Sequence, residues 1–309
     1  MTATRLSPHR DRWAVSRARM EAGDEKHMPD GRRRKRMWLP FKLALGAFAL
    51  GLRLTGLYAR GVRNALDIRL NAFEVALPGL PDAFDGYRIL HLADLHIDAL
   101  DAFPARLAAL AGSVDCDLCA LTGDYRFRVH GPADSVGPGM RMLTAALRPR
   151  DGVFAILGNH DCAGMAPLFE SLGIRMLVNE TATLTRGGEA LHLTGIDDVH
   201  YYWSEDASSA LRHAPPGCRV ALVHSPEMAE EAAASGVSLY LTGHTHGGQV
   251  CLPGGLPVIT HSRGRRRFAA GLWREGGMLG YTSRGAGVSG LPVRFNCPSE
   301  AALITLRRA

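Results

Sequence analysis

A chain of 309 residues with 46% hydrophobic and 21% charged residues is long enough for one large or two small domains with a sizeable core, which excludes a disordered, collagenous or coiled-coil protein. The formal charge is +6 and the pI about 9.2. Yet residues 1–36 hold eleven Lys/Arg against five Asp/Glu, while residues 37–309 hold 25 of each sign, so the balanced remainder lacks the basic stripe of a duplex binder and nucleic acid is not an expected partner.

The head, residues 1–36, is polar and without periodicity, and is expected to be disordered. It closes on the run Arg32-Arg33-Arg34-Lys35-Arg36, after which residues 37–62 read as a membrane anchor or export signal. The charge-free core of that segment, Leu43–Leu52, has only ten residues, whereas a spanning helix needs about 20. Extending it to Met37–Ala59 reaches spanning length and takes in Lys42 and Arg53, both near the ends, where long side chains can snorkel. Three modes fit: a signal anchor with the basic cluster inside, a cleaved export signal of the twin-arginine kind, and a basic helix lying on an anionic membrane.

Residues 63–309 read as a single catalytic domain. Residues 67–77 look extended. Apolar runs at 87–93, 118–122, 153–157, 219–223 and 237–242 read as strands, and stretches near 104–112, 139–147, 165–172, 205–212 and 227–234 as helices. Further strands are expected at 174–178, 181–186, 190–196, 278–283 and 300–306. Strands alternating with helices indicate an α/β fold. Residues 252–277 read as loop, with Arg263, Arg265, Arg266 and Arg267 either solvated or facing phosphate or anionic headgroups. Cys116 and Cys119 form a C-x-x-C within an expected strand, where i and i+3 point to opposite faces and cannot act jointly.

Five of the strand-like runs end in residues with ligand chemistry. In order these are Asp94-Leu95-His96, Gly123-Asp124, Gly158-Asn159-His160-Asp161, His224 and Gly243-His244-Thr245-His246. Singly each has a structural explanation, such as a turn-forming Asp or a hydrogen-bonded His. Together, at the carboxyl edge of a sheet, they form one cluster. In an extended chain alternate side chains point the same way, so the Asp and His of D-x-H, or both His of H-x-H, can reach one pocket. Mixed Asp, Asn and His donors suit borderline divalent ions such as Zn, Mn and Fe, and seven donors exceed the four of a structural zinc site. His91 is expected to be a buried structural histidine. His130, His200 and His261 are expected in loops.

This ordered set resembles the five motifs of the calcineurin-like metallophosphoesterase superfamily across about residues 85–250. The run from Gly243 to Gln249, with Tyr281–Gly285 and Leu291–Arg294, resembles a narrower bacterial branch with an N-terminal membrane segment or export signal, some of whose members are credited with cleaving UDP-2,3-diacylglucosamine in lipid A synthesis. The resemblance implies a four-layer α/β/β/α sandwich with two divalent metal ions. Asp94, His96 and His246 would hold one, and Asn159, His224 and His244 the other. Asp124 would bridge them, and His160 would be catalytic, facing the substrate phosphate. The implied reaction is hydrolysis of a phosphate ester or pyrophosphate by a metal-bridging hydroxide, on a phosphorylated small molecule or lipid. The implied location is the inner membrane, on a side left open, or outside after signal cleavage. A nuclease-type phosphodiesterase and a non-catalytic scaffold of the same fold are the alternatives. One departure stands out. Some branches place an Asp three residues after the Gly-Asp to orient the catalytic His; here that residue is Phe127, and Asp161 is a candidate either for the task or for capping the following turn.

Overall fold

Short runs rich in Leu, Val, Ile and Ala, bounded by Gly, Asp or Pro, form the central strands, and segments with apolar residues three and four apart form the helices between them. The computed structural model describes residues 8–23, 25–35, 38–258 and 266–309; His261, Arg263 and Arg265 lie outside them. In chain order the elements are α1 (Pro8–Gly23), β1 (Glu25–His27), β2 (Arg33–Lys35), α2 (Trp38–Leu54), α3 (Leu57–Ala65), β3 (Ile68–Leu77), β4 (Arg88–Leu92), α4 (Phe103–Gly112), β5 (Leu118–Thr122), α5 (Gly137–Ala146), β6 (Val153–Ile156), α6 (Met165–Ser171), β7 (Ile174–Met176), β8 (Glu180–Arg186) and β9 (Glu189–Gly195). They continue with α7 (Glu205–Arg212), β10 (Cys218–Leu222), α8 (Ala229–Ala234), β11 (Leu239–Thr242), β12 (Cys251–Leu252), β13 (Leu256–Pro257), β14 (Gly271–Glu275), β15 (Met278–Thr282) and β16 (Ser299–Arg308).

Two six-stranded mixed sheets carry the fold, ordered β3-β16-β4-β5-β6-β7 and β14-β15-β11-β10-β9-β8. The inner strands of each run parallel, as helical crossovers require. Alternation along β5 shows how the layers are built. Leu118 and Ala120 face the second sheet, against Leu193, Val220 and Leu241. Cys119 and Leu121 face the other way, into Phe103, Leu107, Leu143 and Phe169 of α4, α5 and α6. Behind the second sheet, Ala221, Val223 and Tyr240 pack on Leu211 and Ala229 of α7 and α8. Three apolar interfaces thus separate helix, sheet, sheet and helix, the four expected layers.

The N-terminal portion differs from expectation. Pro8–Gly23 is a helix where disorder was expected, because two side chains one turn apart, Trp13 and Arg17, are buried against the catalytic body. The apolar segment is likewise not one continuous helix. It breaks at Gly56, whose φ of 73° is left-handed, into the 17-residue α2 and the nine-residue α3. Among the described residues no helix is long and apolar enough to cross a membrane. α3 belongs to the body: Gly61 accepts from the Arg294 amide at 3.0 Å, and Asn64 donates to the Arg294 carbonyl at 2.8 Å. A third difference is β14, an edge strand inside the expected loop, which pairs antiparallel with β15. Finally, Cys116 precedes β5 instead of lying within it, so it packs in the same apolar cluster as Cys119. Both are free thiols whose pKa burial raises.

Candidate metal centre

The segments after β4, β5 and β6 bring Asp94, His96, Asp124, Asn159 and His160 to one edge of the first sheet, and those after β10 and β11 bring His224, His244 and His246 to the matching edge of the second. The site therefore straddles both sheets at their carboxyl ends. All eight expected residues meet there. Three groups, each with ligand atoms within 4.8 Å of one another, can hold a metal ion: Asp94, His96 and His246; Asp124, His224 and His244; and His96, Asp124 and His160. Asp124 belongs to two of them. Asn159 joins the second, its Oδ1 lying 3.0 Å from His224 Nε2 and 2.9 Å from His244 Nδ1.

The convergence does not come from extended chain. Asp94, His96, Asp124, His244 and His246 all have positive φ, between 37° and 70°. Non-glycine residues there cost about 1–3 kcal/mol each, a strain that concentrates at functional sites. The turn also sends the two histidines of H-x-H apart. His246 goes to the Asp94 group and His244 to the Asp124 group, in contrast to the shared pocket that their spacing suggested. Glycines permit the close approach of the loops. A Cβ on Gly243 would stand 2.5 Å from Asp94 Oδ2, and one on Gly158 would collide with Asp124 Oδ1.

Main-chain carbonyls set the imidazole tautomers. His96 Nδ1–H donates to the Arg126 carbonyl at 2.8 Å, and His224 Nδ1–H to the Thr122 carbonyl at 2.8 Å. Each leaves Nε2 turned inward, and His96 Nε2 lies 3.1 Å from His246 Nε2. Burial, reinforced by neighbouring imidazoles, lowers His96 to about 3 and His246 well below its ordinary value. Both are therefore neutral bases, as metal ligation requires. Burial also pushes the Asp94 carboxyl up to about 7, with Asp124 adding to the shift. Burial alone would raise Asp124 too, but His224, His160 and His96 together hold it well below the carboxylate range. His224 is raised to about 10, because Asp124 and Asp94 outweigh its burial. Two buried carboxylates thus lean on one imidazolium, and divalent cations would supply the missing positive charge. The donor set fits the group.

His160 takes its orientation from an unexpected atom. Its Nδ1–H donates to the main-chain carbonyl of Phe127 at 2.9 Å, while its Nε2 lies 4.0 Å from Asp124 Oδ2. Residue 127 thus positions the histidine through its backbone, and no Asp side chain is needed there. Asp161 serves elsewhere: its carboxylate accepts from the amides of Gly158, Asp124 and Tyr125 at 2.7–2.8 Å and ties two ligand loops together. His91 is fully buried, 2.9 Å from Thr122 Oγ1.

Three residues support the cluster, and two of them, Arg17 and Arg126, carried no local signal. Arg17 is fully buried; it pairs with Asp197 at 2.5 Å and donates to the carbonyls of Gly158 and Asp161 at 3.1 and 3.2 Å. Arg126 donates to the His160 carbonyl through both Nε and Nη2. Arg294, within the recognised Leu291–Arg294 run, is buried among the carbonyls of Arg284, Gly285 and Gly287. Of the expected basic loop, Arg267 pairs with Glu275 and Arg266 is exposed. Above the cluster opens a cavity of about 810 Å³, walled by His130, His160, His200 and Tyr201 and by apolar side chains including Leu45, Phe48, Val258 and Leu291.

A four-layer α/β sandwich with Asp and His clusters at the carboxyl ends of both sheets, together with the family match below, defines a metal-dependent phosphoester hydrolase. Residues 87–248 match the model of the calcineurin-like phosphoesterases, and the chain belongs to that family. It is 29% identical over 242 residues to the metallophosphoesterase YkuE of Bacillus subtilis, covering 74% of this chain and 82% of that one. It is 28% identical over 249 residues to YkoQ of the same organism, covering 77% and 90%. It is 29% identical over 230 residues to the phosphodiesterase YaeI of Escherichia coli, covering 71% and 82%.

Proposed function

We propose that this chain holds two divalent ions and hydrolyses a phosphate ester or pyrophosphate whose other portion is apolar. The carrying observation is the place of Asp124, which groups with His224 and His244 on one side and, on the other, with His96, itself a member of the Asp94 group. On this reading Asp94, His96 and His246 hold one ion, Asn159, His224 and His244 the other, and Asp124 lies between them. Such ions, when bound, clamp a phosphate and make water acidic enough to attack phosphorus near neutral pH. The chain supplies the rest. The Arg126 and Thr122 carbonyls fix the bases of His96 and His224. Asp124 Oδ1 accepts from the His160 amide at 2.8 Å, which ties the His160 loop to Asp124. His160, pinned at Nδ1, keeps Nε2 toward the cavity, where it can stabilise a phosphoryl oxygen or protonate the leaving group.

The wall of the cavity supports an apolar portion of the substrate. Leu45, Phe48, Val250, Val258 and Leu291 line it beside the ligand groups. A phosphoester with an acyl or other hydrocarbon portion buries that surface, and a UDP-linked diacylglucosamine is one such molecule. An oligonucleotide is not, and the catalytic part carries no net positive charge to attract one. The test is hydrolysis of an aryl phosphodiester by the Mn2+- or Zn2+-loaded protein, followed by a pair of phosphoesters with and without an acyl chain. No hydrolysis of any phosphoester would remove this reading. Equal kcat/KM for the two members of the pair would remove the apolar portion of it.

A further inference from the structure

α2 is apolar on both sides, and among the described residues only one side has a partner in the body. Leu45 and Phe48 line the cavity, and Ala49 and Leu52 are buried. At 100° per residue these four occupy one face. Leu39, Leu43, Leu50 and Leu54, spaced i, i+4, i+11 and i+15, fall together on the opposite face. They are 68%, 66%, 56% and 79% exposed. Across the cavity, the β12–β13 hairpin exposes Leu252, Leu256 and Val258, and Val258 shares the cavity wall with Phe48. The mouth of the site is therefore flanked on two sides by exposed hydrocarbon.

The segments before and after α2 decide how it can sit. Upstream, Trp13 and Arg17 of α1 bond Asp197, and Arg17 also reaches the loop that carries Asn159 and His160. Downstream, α3 bonds Arg294. Both ends of α2 are fastened to the same catalytic body, so the helix cannot run from one side of a bilayer to the other. Its 17 residues reach about 25 Å, as a rod lying along the body. The charge within the segment is of one sign: residues 32–66 hold nine Lys/Arg and no Asp/Glu, with Arg32 and Arg33 paired to Asp30 and Glu25 just upstream.

We propose that α2 is an in-plane docking helix that seats the catalytic mouth on an anionic lipid bilayer. The Leu39–Leu54 stripe enters the headgroup–acyl boundary, and Lys42 and Arg53 meet the anionic headgroups. The inner face of the same helix, through Leu45 and Phe48, offers a hydrocarbon track from that boundary to the metal-binding cluster, so an amphiphilic phosphoester reaches the site without passing through water. An export signal cleaved after α2 is incompatible with this arrangement, since cleavage would strip Arg17 from Asp197. The delivery step rests on the phosphoesterase reading; the docking does not.

The test uses the full chain in co-flotation with vesicles of phosphatidylcholine and phosphatidylglycerol mixed about two to one, against vesicles of phosphatidylcholine alone. Binding to the anionic vesicles, weakened by raised salt, is expected. The double substitution Leu43→Glu, Leu50→Glu is expected to lower partitioning about tenfold or more, while hydrolysis of a soluble aryl phosphodiester stays at the wild-type rate, which also reports an intact fold. Wild-type protein that stays with the buffer at low salt would overturn the proposal. So would a lipid-free dimer that the double substitution splits, which would make a second copy the occupant of the stripe. Vesicle binding with no hydrolysis by either protein would leave the docking standing and sink the phosphoesterase reading alone.

Discussion

Arg17 and Asp197 are 180 residues apart in sequence and form an ion pair from which water is excluded: both side chains are buried, and the guanidinium also stacks 3.6 Å above the Tyr202 ring. Its Nη2 reaches the carbonyls of Gly158 and Asp161, which bracket Asn159 and His160, while its Nε pairs with Glu21 at 3.0 Å. A polar helix near the N-terminus thus holds a loop of the metal-binding cluster.

Arg17→Ala leaves Asp197 buried without its cation. Breaking a buried pair on one side costs about 3–5 kcal/mol, and urea unfolding should show a loss of that size. The freed Gly158–Asp161 loop should also weaken metal affinity at the Asn159 group, read by titration of the folded variant. Stability within about 1 kcal/mol of wild type (roughly fivefold in the folding equilibrium) would mean that the pair contributes little.

Asp124→Asn removes one negative charge from the residue that stands between His96 and the His224–His244 pair. A fall in kcat of at least about 100-fold is expected, with less than the full complement of metal on elemental analysis. If two ions remain bound with undiminished turnover, Asp124 is not the shared ligand.

His160→Ala and Phe127→Ala should separate cleanly. The first removes the group facing the phosphate and should lower kcat by about 100-fold or more, with metal content preserved. The second keeps the carbonyl that holds His160 Nδ1, so kcat should stay within about threefold, a change worth less than about 1 kcal/mol, while KM rises through the lost cavity wall. A collapse of kcat in Phe127→Ala would show that the side chain positions His160.

Metal binding should stabilise the fold by linkage. At 100 times Kd, one ion that binds only the folded state adds about 2.7 kcal/mol, seen as a higher thermal midpoint that a chelator reverses. His246→Ala should lose that gain for one ion and keep it for the other.

Glu227 gives an acid-side prediction. Burial alone would raise its pKa, but His200 and Lys26 bond it, and the net shift is downward from 4.5. Its folded pKa lies below its unfolded one, so its stabilising contribution is present above about pH 4.5 and is lost as pH falls through the lower folded value. Glu227→Gln should flatten this part of the acid limb; an unchanged limb in chemical unfolding between about pH 5 and about pH 3 would exclude it.

Much of the centre was legible along the chain because the relevant chemistry is local. A short apolar run closes into a buried strand, a Gly beside it permits a tight turn, and an Asp, Asn or His after that turn has one crevice to enter. That reasoning pointed to all eight residues that meet at the cluster and to the alternation of strands and helices. It placed β14 in a loop, because Gly271-Leu272-Trp273-Arg274-Glu275 is an edge strand held by β15 and carries little β-propensity of its own.

What the chain by itself determined is which residues meet: strand ends at one edge of two sheets converge whatever the loops do in detail. Tertiary structure decided how they divide and what supports them. His244 and His246 part company, whereas Asp94 and His96 stay together, although all four leave the extended region, a difference that spacing cannot foretell. His160 is held by a carbonyl of Phe127, an atom every residue possesses and no side-chain pattern marks. Arg17 reads as one more surface cation until Asp197 arrives from the far end of the chain, since the cost of burying a charge is set by a partner and not by neighbours in sequence. The apolar segment reads in sequence as one stretch; the left-handed Gly56 divides it, and α1 and α3 on either side of α2 both contact the catalytic body.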